Sequence, residues 1–168
     1  TLRRWLGQPL LEREPLERRL EAVAWFHRGG ARREQVSALL RDVSDLERLV
    51  NRVRGAVALP REVLALRHSL ELVPRLREAL ESPGGPDDGE SPAWLAQELR
   101  PCREVVELIA AALEEEPSTA LGEGGVLRQG FSPELDELRT ASRDARGYIA
   151  DLERQERERT GIPSLKVG

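Results

Sequence analysis

Three observations predict an all-α protein, a multi-helix bundle that ends in one long helix. Apolar residues recur at helical spacing, as in Leu46, Leu49, Val50 and Val53, rather than alternating as they do in a half-buried strand. Ser, Pro and Gly stand where such stretches start and stop. Aromatic residues are scarce, two Phe, one Tyr and three Trp among 168 residues, so strands built on aromatic pairs are not expected. The 39% hydrophobic and 33% charged content is ordinary for a helix-rich globular chain with room for one domain or two small ones.

Residues 1–81 read as a first helical core subdomain. Leu2 to Leu6 are the last turns of a helix ended by Gly7 and Pro9. Pro15 opens the next helix at its first position, with Leu16, Leu20, Val23 and His27 expected on the inward face and Gly29-Gly30 as the stop. Ala31 to Val43 form a short amphipathic helix through Val36, Leu39, Leu40 and Val43. Ser44-Asp45-Leu46-Glu47 has the form of a capping box, with Ser44 as the cap. Pro60 begins a helix carrying Val63, Leu66, Leu70 and Val73, and Pro74 kinks or restarts it before Leu76 and Leu80.

Residues 82–91, SPGGPDDGES, hold two Pro, three Gly and three acids and are expected as a flexible linker. Residues 92–131 form the second part of the core. Ser91-Pro92 and Ser132-Pro133 each read as an N-cap followed by proline at the first helical position. Between them lie Trp94 to Leu99, then Val105 to Leu113 with Val105, Ile109 and Ala112 sharing a face. The acids Glu114, Glu115 and Glu116 oppose the helix dipole, so this end is expected to fray or be solvated before Pro117.

The long helix spans 132–160. Its apolar stripe, Leu135, Leu138, Ser142, Ala145, Ile149 and Leu152, stops after Leu152, whereas the helix-forming charged residues continue through Arg159. A helix that leaves its bundle as an arm is the expected result. Thr160-Gly161-Ile162-Pro163 is a stop signal, and Ser164-Leu165-Lys166-Val167 resembles the start of a strand. Together with the opening Thr1 and the absence of Met, this predicts a segment of a longer protein.

Charge and cysteine usage exclude several classes. The net charge of −4 is uneven: residues 1–41 carry nine Arg against five Glu, while residues 71–120 carry four Arg against twelve acids. The chain lacks the basic surplus of a self-sufficient nucleic-acid binder. Of 26 basic residues 25 are Arg, which either strong ion-pair networks suited to high temperature or a coding bias would produce. Cys102 is the only cysteine, which excludes an internal disulfide and a cysteine-based metal site; it is expected as a small buried residue on a helix. No apolar run approaches the roughly 18 residues of a membrane span and no signal peptide is recognisable, so a cytoplasmic location without membrane association is expected.

Catalytic chemistry is not indicated. His27 and His68 have no second His or carboxylate at i+4, and Asp87-Asp88 falls in the linker. The glycines of GEGGVLRQG, at 122, 124, 125 and 130, lack the Gly-Lys-Ser/Thr of a phosphate loop and read as a tight reversal before the long helix. Trp5, Trp25 and Trp94 are spaced as core anchors rather than a base-stacking platform. No catalytic, metal-binding or cofactor-binding residue is assigned.

The chain resembles the core and lever region of the bacterial MutS family of DNA mismatch repair proteins, domain III. The resemblance is carried by the opening TLRRWLGQPLLEREPLERRLEAV, by DLERLVNRV at 45–53 and PREVLALRHSL at 60–70, by GGVLRQGFSPELDELR, and by LERQERERTGIPSLKVG. It covers nearly the whole chain, and the last two segments are the most specific. One departure stands out: Ala56-Val57-Ala58 occupies the place where the family leads one to expect Gly-Arg-Ala. The resemblance implies a full-length protein that is a homodimer, encircles mismatched double-stranded DNA, uses ATP and Mg and works with a MutL-type partner. Its mismatch reader, most of its clamp and its ATPase would lie outside these residues, with 161–168 as the start of the clamp. The implied role of this segment is to transmit ATP-driven movement without catalysis. Within the intact protein, Arg154, Arg157, Arg159 and Lys166 are the candidates for weak, salt-sensitive phosphate contacts. A stand-alone helical scaffold that binds partner proteins is one competing expectation, since it shares the periodicities. An all-helical enzyme is the other, and it requires acids or histidines converging on one cavity, a set the sequence does not offer.

Overall fold

The computed structural model describes residues 2–82, 91–118, 124–162, 164 and 166. Among these residues there are nine helices and no β-strand. Residues 1–117 and 118–168 form two compact units, the first holding α1 (Leu2–Gly7), α2 (Arg13–Arg28), α3 (Gly30–Arg41), α4 (Leu46–Arg54), α5 (Pro60–Glu71), α6 (Val73–Glu81), α7 (Ala93–Glu98) and α8 (Arg103–Ala112), the second α9 (Pro133–Thr160). The expected linker core at 83–90, with Asp87-Asp88, lies outside the described residues, as do Gly122, Pro163, Leu165 and Val167.

In the first unit, α2, α3, α6 and α7 enclose a core of Trp25, Val36, Leu39, Leu72, Leu76, Ala79, Leu80 and Ala96. α5 packs between α4 and α8, with Leu49, Leu66, Ile109 and Leu113 buried. Single residues join consecutive helices at two places. Gly29 closes α2 through its N–H to the Trp25 carbonyl and is also the N-cap of α3, and Leu72 separates α5 from α6. Pro74, in the first turn of α6, has no N–H to offer, so the chain restarts there as expected.

The inward face of α2 differs from the expectation. Ala22 and Trp25 are buried and Phe26 packs on the core, whereas Leu16, Leu20 and Val23 are 42%, 67% and 66% exposed and His27 is also exposed. Two apolar stripes compete on this helix, and the one that removes a tryptophan from water has the larger area to bury. The helix also starts at Arg13, so Pro15 is its third residue. Similarly Val105 of α8 is exposed while Ile109 and Leu113 are buried, and Leu40 of α3 is exposed.

Capping shifts by one residue at α4. Asp45 is the cap, its carboxylate accepting from the Arg48 N–H at 3.0 Å, while the Ser44 N–H donates to Ser69 Oγ at 3.0 Å. Ser69, fully buried, donates in turn to the Ala65 carbonyl at 2.7 Å, so the serine position is used for a tertiary link. Ser91 behaves in the same way: its hydroxyl donates to the Leu80 carbonyl at 2.8 Å and does not cap α7. Cys102 is exposed at the N-cap of α8, not buried.

The end of α4 shows what the departure at Ala56 costs. The Ala56 N–H donates to the Val53 carbonyl and the Val57 N–H to the Arg52 carbonyl, the paired bonds that close a helix around a left-handed residue. Ala56 occupies that left-handed position, with φ of 52°. Glycine accepts this conformation freely, whereas alanine is strained in it.

Two ion-pair groups join helices of the first unit. Glu62 accepts from the Leu59 N–H at 2.9 Å and from Arg52 Nε at 2.7 Å, which ties the start of α5 to α4. These contacts favour the carboxylate, so its pKa is lowered, chiefly by the Leu59 N–H and then by Arg52. Arg67 binds Glu115 at 2.9 Å and Glu71 at 2.7 Å, and both raise its pKa, Glu115 the more. Glu115, in the stretch expected to fray or be solvated, thus fixes the segment after α8 to α5.

Candidate functional site

The second unit is built around α9. Ser132 caps it by accepting from the Leu135 N–H at 3.3 Å, and Pro133 takes the first helical position, as expected. Glu134 and Asp136 place negative charge in the first turn, where the helix dipole favours it. Asp136 accepts from the Gly130 N–H at 2.6 Å and from Arg139 at 3.2 Å, and Arg139 donates to the Leu127 carbonyl at 2.9 Å. Those bonds hold the preceding turn against the base of the helix. Gly124, Gly125 and Gly130 in that turn have φ of 78°, 71° and 89°, which supplies the chain reversal.

No residue of α9 is buried. Leu138 and Ile149 of the expected inward stripe are 68% and 44% exposed, and residues 141–150 are exposed throughout. The stripe was expected to lie against a bundle as far as Leu152. Instead Leu152 and Glu153 are half-buried beyond an exposed middle. Helical spacing reports a preference for an apolar neighbour, and among the described residues only the two ends of the stripe, Leu135 and Leu152, are partly covered.

The sequence-predicted cations are arranged as local pairs. Arg154 binds Asp151 at 2.9 Å, Arg157 binds Glu153 at 3.0 Å and Arg159 binds Glu156 at 2.7 Å. Glu156 holds the Arg159 pKa above its ordinary value, through the hydrogen bond first and the charge second. Arg157 and Arg159 in the last turn also complement the dipole, and Gly161 ends the helix with φ of 67°, its N–H on the Arg157 carbonyl. At about 100° per residue, Arg159 points about 140° away from Arg154 and about 160° from Arg157. The structure therefore does not bring the three together on one face. Lys166 is exposed outside the helix.

Two arginines the sequence reading did not single out are placed differently. Arg143 and Arg146 are exposed, and neither makes an ion pair or side-chain hydrogen bond with the described residues. With Arg139, Ser142, Leu135 and Leu138 they line a groove of about 500 Å³ beside Gly124 and Gly125. Their signal is in the sequence: no acid stands three or four positions from either, whereas each terminal arginine has one three or four positions before it.

Elsewhere the tryptophans split in role. Trp25 is a core anchor, with Arg32 over its ring at 4.1 Å. Trp5, by contrast, is half exposed under Arg19, and half-buried Trp94 lies under Arg18. Among the described residues no three His, Cys, Asp or Glu side chains gather as a metal site, and no helix is long and apolar enough to cross a membrane.

The pattern of MutS domain III matches residues 1–161 of this chain. The chain belongs to the MutS domain III family. It is 47% identical over 168 residues to the DNA mismatch repair protein MutS of Thermus aquaticus and 48% identical to that of Thermus thermophilus. The protein of the same name from Natronomonas pharaonis is 46% identical over 167 residues. Each comparison covers 99% of this chain and 19% of the relative's length. The sequence resemblance to this family is thus established, and the long helix α9 fits the lever of a MutS domain III.

Proposed function

We propose that this chain is the helical core and lever of a DNA mismatch recognition ATPase, passing ATP-dependent movement to a DNA clamp without performing chemistry itself. The observation that carries this reading is α9: 28 residues, capped at both ends, ion-paired along its last turns and free of buried side chains. Such an element transmits displacement because its order is local and does not depend on burial. The intact protein would act as a homodimer in the cytoplasm on mismatched double-stranded DNA, with ATP and Mg bound outside this segment and a MutL-type partner. Phosphate contacts by Arg154, Arg157, Arg159 and Lys166 belong to this reading. Each arginine would exchange a helix carboxylate for a phosphate at small net gain.

Two measurements test the proposal. The polypeptide alone is expected to show neither ATP turnover nor mismatch-selective binding at physiological salt, and either activity would sink it. A chimera carrying this chain in place of the matching segment of the Thermus aquaticus relative should release mismatched DNA in response to ATP. Ala141→Pro within that chimera should break α9 and abolish the ATP response while mismatch affinity persists. An unchanged ATP response in the proline variant would rule out transmission through α9.

A further inference from the structure

We infer that the groove along the Arg143 and Arg146 face of α9 binds the phosphate backbone of duplex DNA without regard to base sequence. The inference rests on the lever reading only for the kind of polyanion presented to it. Arg139, Arg143 and Arg146 lie within an arc of about 60° around the helix axis and span about 10 Å along it. Arg139 is occupied with Asp136 and the Leu127 carbonyl, so it shapes the groove wall, whereas Arg143 and Arg146 present guanidinium donors to solvent. Ser142 adds a hydroxyl to the same groove.

Charge is segregated in this part of the helix. The exposed acids Glu137 and Asp144 lie about 140° from the basic face, and Asp136, which is in line with Arg143 two turns earlier, is already held by Arg139 and the Gly130 N–H, so a polyanion is attracted to one side and repelled from the other. At the tip the signs are interleaved in neighbouring pairs, and an approaching phosphate must displace a carboxylate. The middle of the helix asks for no such exchange. Two adjacent guanidinium forks above an open groove suit successive phosphates, each hydrogen-bonded from two N–H groups. No base edge needs to be reached, which makes the contact one of position rather than sequence.

The test is fluorescence anisotropy of a labelled duplex of about 30 base pairs, long enough for several phosphate contacts, with the full 168-residue chain at low and rising salt, in matched and mismatched forms. Weak binding that falls with salt and ignores the mismatch is expected. Arg143→Gln with Arg146→Gln should weaken it about three- to tenfold and lower the salt slope by about two, one per lost phosphate contact. Arg154→Gln with Arg157→Gln should change it less. Circular dichroism should show unchanged helicity in the Arg143 and Arg146 variant, because glutamine is about as good a helix former as arginine and neither arginine has a partner among the described residues to lose. No duplex binding at low salt, an unchanged slope in the Arg143 and Arg146 variant, or binding of poly-glutamate in preference to duplex would each overturn the inference. The lever reading fails separately: an ATP-insensitive chimera with intact groove binding removes the lever and leaves the groove.

Discussion

Among the described residues, the eight helices of the first unit and the one helix of the second are ordered by different means. In the first, helices of 6 to 16 residues surround Trp25, Leu49 and the other buried side chains. Peptides of this length are marginal helices alone in water, so their order derives from burial. α9 has no fully buried residue, yet runs for 28 residues on caps and neighbouring ion pairs. The difference teaches that damage to the core should spread through the first unit, whereas damage to α9 should remain on α9.

The largest expected effect is Trp25→Ala, which leaves a void among α2, α3 and α6 and should cost about 3–5 kcal/mol in urea unfolding. Amide exchange along α9 should be unchanged in that variant; loss of α9 protection together with the core would break the comparison. Ala56→Gly removes a left-handed alanine and should raise the stability of the first unit by about 1 kcal/mol, read as a higher urea midpoint. In α9, a Cβ at Gly147 meets nothing within 4 Å. Gly147→Ala should therefore slow α9 amide exchange by the equivalent of about 0.8–1 kcal/mol and leave the core midpoint alone.

Glu62 sharpens the comparison through pH. Its folded-state pKa is depressed, so the stability it contributes is present above the ordinary carboxylate value of about 4.3 and is lost as pH falls through the lowered folded value. Glu62→Gln should give a shallower loss of first-unit stability on acidification, measured as urea midpoint against pH, with equal slopes ruling out the linkage. The smallest effect belongs to the terminal pairs. Glu153→Gln should weaken α9 by about 0.3–0.5 kcal/mol, less at high salt, as followed by its ellipticity on heating.

Helix existence was legible because Pro60, Pro74, Gly29, Ser132 and Gly161 act within one turn of themselves, and local chemistry can be read from adjacent letters. The buried face of α2 was not, because Leu16, Leu20 and Val23 match the helical period as well as Ala22, Trp25 and Phe26 do. Only the packing of α3 and α6 decides between them. The link from Arg67 to Glu115 joins residues 48 positions apart and leaves no trace in spacing. At the candidate site, reading charged residues by density led to the tip, where Arg154, Arg157 and Arg159 are most crowded. Reading them by missing partners leads to Arg143 and Arg146, since a cation without an acid one turn away keeps its charge for something else.

The length of α9 has a mechanical consequence. At 28 residues it is a rod about 42 Å long, so a rotation of about 5° at Pro133 moves Thr160 by about 4 Å. A hydrogen bond tolerates only a fraction of an ångström. A tilt too small to disturb packing at the base is therefore enough, at the far end, to exchange one set of polar partners for another.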